Sequence, residues 1–156
     1  MIIIGYQGIG KSTLAGKRLA FGLTFIDLES GNFWVDGKRA EDWYKPYCQI
    51  AEHLSAQGFD VFTSSHEVVR NQLINSKERV CVAFPSLELK DFWIEKLKAR
   101  WEKTQLDKDY KAYMNALERY EDNIKELMDS PFEQIIIEKE YYHLDDKIIK
   151  LLISKR

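Results

Sequence analysis

Residues 2–12 read Ile2-Ile3-Ile4-Gly5-Tyr6-Gln7-Gly8-Ile9-Gly10-Lys11-Ser12, an apolar run that leads straight into a complete G-x-x-x-x-G-K-S pattern. Glycines let the backbone turn tightly and aim its N–H groups inward, so Gly5, Gln7, Gly8, Ile9 and Gly10 line a preformed anion cradle. Lys11 and Ser12 then meet terminal phosphates and Mg²⁺, with Thr13 closing the nucleotide-binding stretch. From Lys11 to Leu23, Leu14, Ala15 and Leu19 recur at helical spacing with Lys17 and Arg18 between them. This predicts a helix whose positive end faces the phosphates.

Outward from this stretch, strand-like and helix-like segments alternate, the signature of an α/β fold with helices on both faces of a parallel sheet. Strands are expected at Ile2–Ile4, Thr24–Leu28, Asp60–Ser64, Val80–Phe84 and Gln134–Glu138. Helices are expected at Asp42–Ala56, His66–Asn75, Leu87–Lys103, Asp109–Met128 and about Asp145–Ile153. In the fourth of these, Tyr110, Tyr113, Leu117, Tyr120, Ile124 and Leu127 follow a three-four spacing, which predicts one long amphipathic helix packed on a core. The seam is too short for a sustained coiled coil.

The 156 residues suit a single domain spanning 1–156, and 45% hydrophobic residues supply a core. A net charge of −2, from 23 basic and 25 acidic residues, gives neither nucleic acid nor an anionic membrane a dominant attraction. Cys48 and Cys81 lie far apart without metal-ligand spacing, so reduced thiols are expected. No apolar run approaches the roughly 20 residues of a membrane span, and the strand at the N-terminus leaves no room for a cleavable signal. A soluble, cytoplasmic protein, monomer or homodimer, is the expectation.

Three further clusters carry chemistry. Asp27 and Glu29, two apart at the end of the second strand, would share a face if the strand continued that far. Asp27 then holds a Mg²⁺-bound water opposite Ser12, so that metal binding leans on Ser12 and Asp27, and Glu29 orients or deprotonates an acceptor hydroxyl or binds a sugar hydroxyl. At the end of the third strand, Thr63-Ser64-Ser65-His66 precedes a helix; Ser64 or Ser65 suits an N-cap, and Ser65 or His66 could order the acceptor or Mg²⁺ waters. No hydrophobic run ends in an Asp of Walker B type, because Asp60 starts its strand.

The third cluster is basic. Lys96, Arg100 and Lys103, with Lys90 a turn earlier, form a stripe beside Leu89, Trp93, Leu97 and Trp101. Next to a phosphate site, Arg100 or Lys96 would stabilise transferred charge. Between the second strand and its helix, Asn32-Phe33-Trp34-Val35-Asp36-Gly37-Lys38-Arg39 combines a turn signal with aromatics and cations. Phe33, Trp34 or Trp43 would stack a base, while Lys38, Arg39 or Arg70 would take an acceptor phosphate.

With the loop, the Asp27-x-Glu29 pair, Ser65-His66 and the helix carrying Pro85, Lys90 and Arg100, the chain resembles the P-loop nucleoside and nucleotide kinases. It is most similar to small phage and bacterial deoxynucleoside monophosphate kinase-like proteins, and similar also to shikimate and gluconate kinases through Asp27 and Glu29. The resemblance implies a five-stranded parallel sheet in the order 2-3-1-4-5, a helical lid bearing the arginines, and ATP with Mg²⁺ as donor. It lacks the Asp-Gly-x-Pro-Arg stretch of adenylate kinases and the Asp-Arg-His signature of thymidylate kinases. Three functions stay open: phosphoryl transfer to a nucleoside monophosphate, transfer to a small hydroxylated metabolite, and an ATP-binding switch or ATPase acting through a partner.

Overall fold

The computed structural model describes residues 1–16, 24–140 and 143–153. Five parallel strands form the main sheet: β1 (Ile2–Gly5), β2 (Phe25–Asp27), β5 (Asp60–Ser64), β6 (Val80–Pro85) and β7 (Glu133–Ile137), in the order β2-β5-β1-β6-β7. The labels β3 (Trp34–Val35) and β4 (Lys38–Arg39) belong to a separate antiparallel hairpin. With that hairpin set aside, the five strands run 2-3-1-4-5. Asp36 (φ 50°) and Gly37 (φ 76°) make its turn, the positive φ at both positions that a two-residue hairpin loop requires.

Backbone contacts group the chain into two compact units. The first comprises Met1–Gly5, Lys11–Val82 and Pro131–Glu133. In it β5 pairs with β1 from Ile2↔Val61 to Gly5↔Ser64, and with β2 from Phe25↔Asp60 to Asp27↔Phe62. That register brings Gly5, Asp27 and Ser64 to the carboxyl edge, where ligands of open α/β sheets bind. Ile2, Ile3, Ile4, Val61 and Phe62 are fully buried, as strands covered on both faces must be. Helix α1 (Lys11–Ala15) follows the loop, and Lys17, Arg18 and Leu19 of its expected continuation lie outside the described residues. Helix α2 (Tyr44–Ala56) buries Tyr47, Cys48, Ala51 and Ser55 on one face, and α3 (Glu67–Leu73) buries Val69 and Leu73.

The second unit comprises Tyr6–Gly10, Ala83–Ser130 and Gln134–Arg156. A 3₁₀ turn (Leu87–Leu89) leads into α4 (Lys90–Thr104), which packs along α5 (Asp107–Met128); α6 (Leu144–Ile153) closes the chain. Left-handed Gln105 (φ 54°) ends α4, its N–H donating to Trp101 O. Helix α5 departs from the expected seam. Its buried residues are Asp109, Ala112, Ala116, Tyr120, Ile124 and Leu127, whereas Tyr110 and Leu117 are exposed. The buried stripe runs one position earlier than expected over the first half, at spacings of three and four that continue through a break in the helix at Arg119 (φ −134°, ψ 19°). Tyr110 and Tyr113 instead pack on Trp101, at 4.9 and 5.8 Å between ring centroids.

No described helix is long and apolar enough to cross a membrane. Cys48 and Cys81 are buried and form no disulfide, and burial pushes the Cys48 thiol up to about 12.

Candidate active site

In the phosphate-loop segment, Gly8 (φ 76°) and Gly10 (φ 102°) adopt the left-handed backbone that the motif demands of glycine. They are constrained differently. A Cβ at Gly10 would meet nothing within 4 Å, leaving open space, while one at Gly8 would sit 2.8 Å from Leu97 Cδ2 and 3.3 Å from Trp93 Nε1. The loop is pinned by Tyr6 N–H to Ala83 O (2.9 Å), Ile9 N–H to Tyr6 O (3.2 Å) and Trp93 Nε1–H to Gln7 O (2.9 Å). Gly8→Ala should therefore destabilise the fold by about 2–4 kcal/mol, from backbone strain plus overpacking. Urea denaturation reads this directly; a cost near zero would mean that the loop does not hold this shape.

Within the first unit, Lys11 Nζ donates to Gly5 O (3.1 Å) and Thr63 O (3.5 Å). Ser12 Oγ donates to Asp27 Oδ2 at 2.6 Å. This direct contact puts a hydroxyl beside a carboxylate, a donor set that suits a hard, oxygen-seeking cation such as Mg²⁺. No cluster of three or more His, Cys, Asp and Glu able to hold a metal occurs among the described residues. Glu29 does not share Asp27's position. The strand ends at Asp27, and Glu29 is exposed at the start of a 3₁₀ turn (Ser30–Phe33), so the same-face expectation fails because β2 is only three residues long. Thr13 is exposed on α1, and Asp60 lies at the amino end of β5 beside the Met1 amino group.

Neither Ser64 nor Ser65 caps α3. His66 occupies the N-cap position without a side-chain cap bond, and its Nδ1 lies 2.8 Å from Ser64 Oγ. Desolvation of the ring, which meets Trp43 edge-on at 5.5 Å, lowers the His66 pKa. The positive charges of Arg39, Lys11 and Arg70 lower it further. Trp43 stacks no open slot: the Arg39 guanidinium covers its ring at 4.3 Å and lies 5.3 Å from the ring of Trp34. Arg39 Nη2 donates to Ser30 Oγ (3.1 Å), while its Nε is buried without a hydrogen-bond partner. Phe33, also read as a base-stacking candidate, packs on Trp43 and Tyr47 instead.

Sequence reasoning missed Tyr47. Its hydroxyl donates to Leu28 O (2.7 Å) and accepts from Ser64 N–H (2.9 Å), tying the end of β2 to the end of β5. Burial, the largest cause, raises its pKa far above the ordinary range, so the phenol stays a neutral donor. Only the helical spacing of Tyr47 with Ala51 and Ser55 was visible in sequence, and that marks a core face rather than a bridge. Tyr47→Phe should cost about 2 kcal/mol because it strands one backbone donor and one acceptor. Chemical denaturation at neutral pH checks it, and an unchanged midpoint would remove the tie.

In the second unit the basic stripe on α4 is largely paired. Lys90 meets Glu121 at 2.9 Å, and Arg100 bonds the buried carboxylate of Asp109. Lys96 lies 4.2 Å over the Trp93 ring, where desolvation, then the charge of Arg100, lowers its pKa.

The sequence matches no protein-family model and no curated protein. The fold does have a match among solved structures. A crystal structure of shikimate kinase from Bacteroides thetaiotaomicron superposes with a TM-score of 0.55 at 14% identity, over 99% of this chain and 96% of that one. At that identity the likeness establishes a shared α/β architecture.

Proposed function

We propose that this chain is a phosphotransferase that moves the γ-phosphoryl group of ATP to a small acceptor bearing an anionic group. The observation that carries the reading is Ser12 against Asp27 at 2.6 Å, beside Lys11 at the carboxyl edge of β1 and β5. Lys11 would neutralise donor phosphates there, and Ser12 and Asp27 would hold Mg²⁺, which when bound would supply further charge neutralisation. Arg39 and Arg70, whose charges with that of Lys11 help to lower the His66 pKa, suit an anionic handle on the acceptor. Such a handle belongs to a nucleoside monophosphate, the leading acceptor, or to a hydroxylated carboxylic acid such as the substrate of the shikimate kinase that shares the fold.

The test is ADP release with Mg-ATP across the common ribo- and deoxynucleoside monophosphates and a set of hydroxy acids. Turnover with one class assigns the acceptor, and silence across both while ATP binds sinks the transferase reading. Asp27→Asn should raise the Mg²⁺ concentration needed for half-maximal turnover roughly tenfold, in line with the loss of one charge-assisted contact. An unshifted Mg²⁺ dependence would take Asp27 out of the metal site.

A second reading has its own support, because Gln7 and Gly8 of the loop lie directly against α4. An ATP-dependent switch would use that contact to change a partner-binding surface. It predicts nucleotide-dependent association without acceptor turnover.

A further inference from the structure

Gln7 belongs to the phosphate-loop motif, yet its side chain is committed to α5. Its Nε2 donates to Ala112 O (2.9 Å) and Asn115 Oδ1 (3.1 Å), and lies 3.4 Å from the Tyr6 hydroxyl. Asn115 Oδ1 also accepts from Asn123 Nδ2 at 2.8 Å. In a straight α-helix eight residues rise about 12 Å, more than two asparagine side chains can span. The break of α5 at Arg119, midway between them, is what brings the two asparagines within reach of each other. Tyr6 completes the cluster, edge-on to Tyr120 at 5.9 Å, while Trp93 donates to the Gln7 carbonyl from the facing helix.

A side chain that takes a helix carbonyl and an asparagine on the inner side of a bend fixes the backbone that carries it. Here that backbone is Tyr6-Gln7-Gly8, whose peptide groups line the anion cradle. We infer that Asn115 and Asn123, more than a hundred residues along the chain from the motif, are positioning residues that act through Gln7 to hold the phosphate loop in its triphosphate-accepting shape. The inference rests on reading Gly5–Ser12 as a triphosphate site. The Tyr6-Gln7-Gly8 segment and the bend of α5 then favour one another reciprocally.

The chemistry of Asn115 makes the test specific. Its amide serves here as an acceptor for two donors, so Asn115→Asp keeps the function and Asn115→Leu removes it without loss of bulk. ATP titration of the full chain by calorimetry, paired with the Trp93 indole N–H resonance, reads both affinity and loop position. Asn115→Leu should bind ATP roughly tenfold more weakly, about the worth of the hydrogen bonds lost, and should shift the Trp93 resonance. Asn115→Asp should retain both values. Gln7→Met should match Asn115→Leu, carrying the comparison if the latter fails to fold, and the double variant should be no weaker than either single one. Wild-type affinity in Asn115→Leu or in Gln7→Met, equal weakening by Leu and Asp, or additive losses in the double variant would overturn the inference. Absence of ATP binding by the unmodified chain would overturn the phosphate-loop reading itself, and this inference with it.

Discussion

Lys11→Ala is expected to lower phosphoryl-transfer turnover by about 10²–10³, the loss typical of removing one preorganised charge-stabilising donor. Lys11 opens α1 directly after the loop, and its ammonium bonds the carbonyls of Gly5 and Thr63 at the ends of β1 and β5. Those carbonyls hold it at the carboxyl edge, so on the proposed reading donor phosphates would exchange neutral acceptors for charged ones without a search by a long side chain. The gain per exchange is about 1.5–3 kcal/mol for a charge-assisted bond, partly offset by the carbonyl bonds released. Lys11→Arg should fail nearly as badly, because a planar fork replaces a compact point charge. Steady-state ADP release, with circular dichroism to confirm the fold, makes the comparison. Wild-type turnover in Lys11→Ala would mean that Gly5–Ser12 is not the donor site.

What sequence made legible follows from the range of the interactions involved. The loop, the five strands and the helices α2 to α6 are set by local glycine chemistry and apolar periodicity, and each was visible in one window of the chain. The Asp36-Gly37 turn signal was equally local, although the two short strands flanking it were not foreseen. By contrast, Tyr47, Gln7 and Asp109 act through partners 17 or more residues away, or by facing inward from a helix end, and nothing local marks such a role. The three-four spacing in α5 misled for the opposite reason. It followed the large apolar side chains, whereas the face that packs inward carries the small Ala112 and Ala116.

Arg100 is where sequence and structure point to different roles, and two variants tell them apart. From its place in a basic stripe Arg100 reads as a stabiliser of transferred charge, but its guanidinium bonds Asp109, whose side chain is 3% exposed against 43% for Arg100. Thr104 Oγ1 donates to the other oxygen of Asp109 at 2.6 Å. Breaking this pair is therefore asymmetric. Arg100→Ala leaves a buried carboxylate with too few donors, at a cost of about 3 kcal/mol, toward the lower end for a broken buried pair because one partner is half exposed. Asp109→Asn releases an arginine that water can solvate and should cost about 1 kcal/mol.

The acid side of the stability curve supplies the sign. Burial pushes the Asp109 carboxyl up, but the bonds from Thr104 and Arg100, with the charges of Arg100 and Lys108, outweigh it and hold its pKa below the ordinary carboxylate range. In the wild type this contribution is complete above the unfolded value near pH 4 and disappears as pH falls through the lower folded value. Without Arg100, burial dominates and the folded pKa rises above the unfolded one, so the penalty is full at neutral pH and relieved on protonation. The melting-temperature gap between wild type and Arg100→Ala should therefore narrow between pH 7.5 and pH 4. A constant gap, or a larger cost for Asp109→Asn, would refute the structural assignment. If turnover at equal folded fraction also drops in Arg100→Ala but not in Asp109→Asn, the remaining guanidinium donors act on the transferred phosphoryl group, since only the first variant removes that charge.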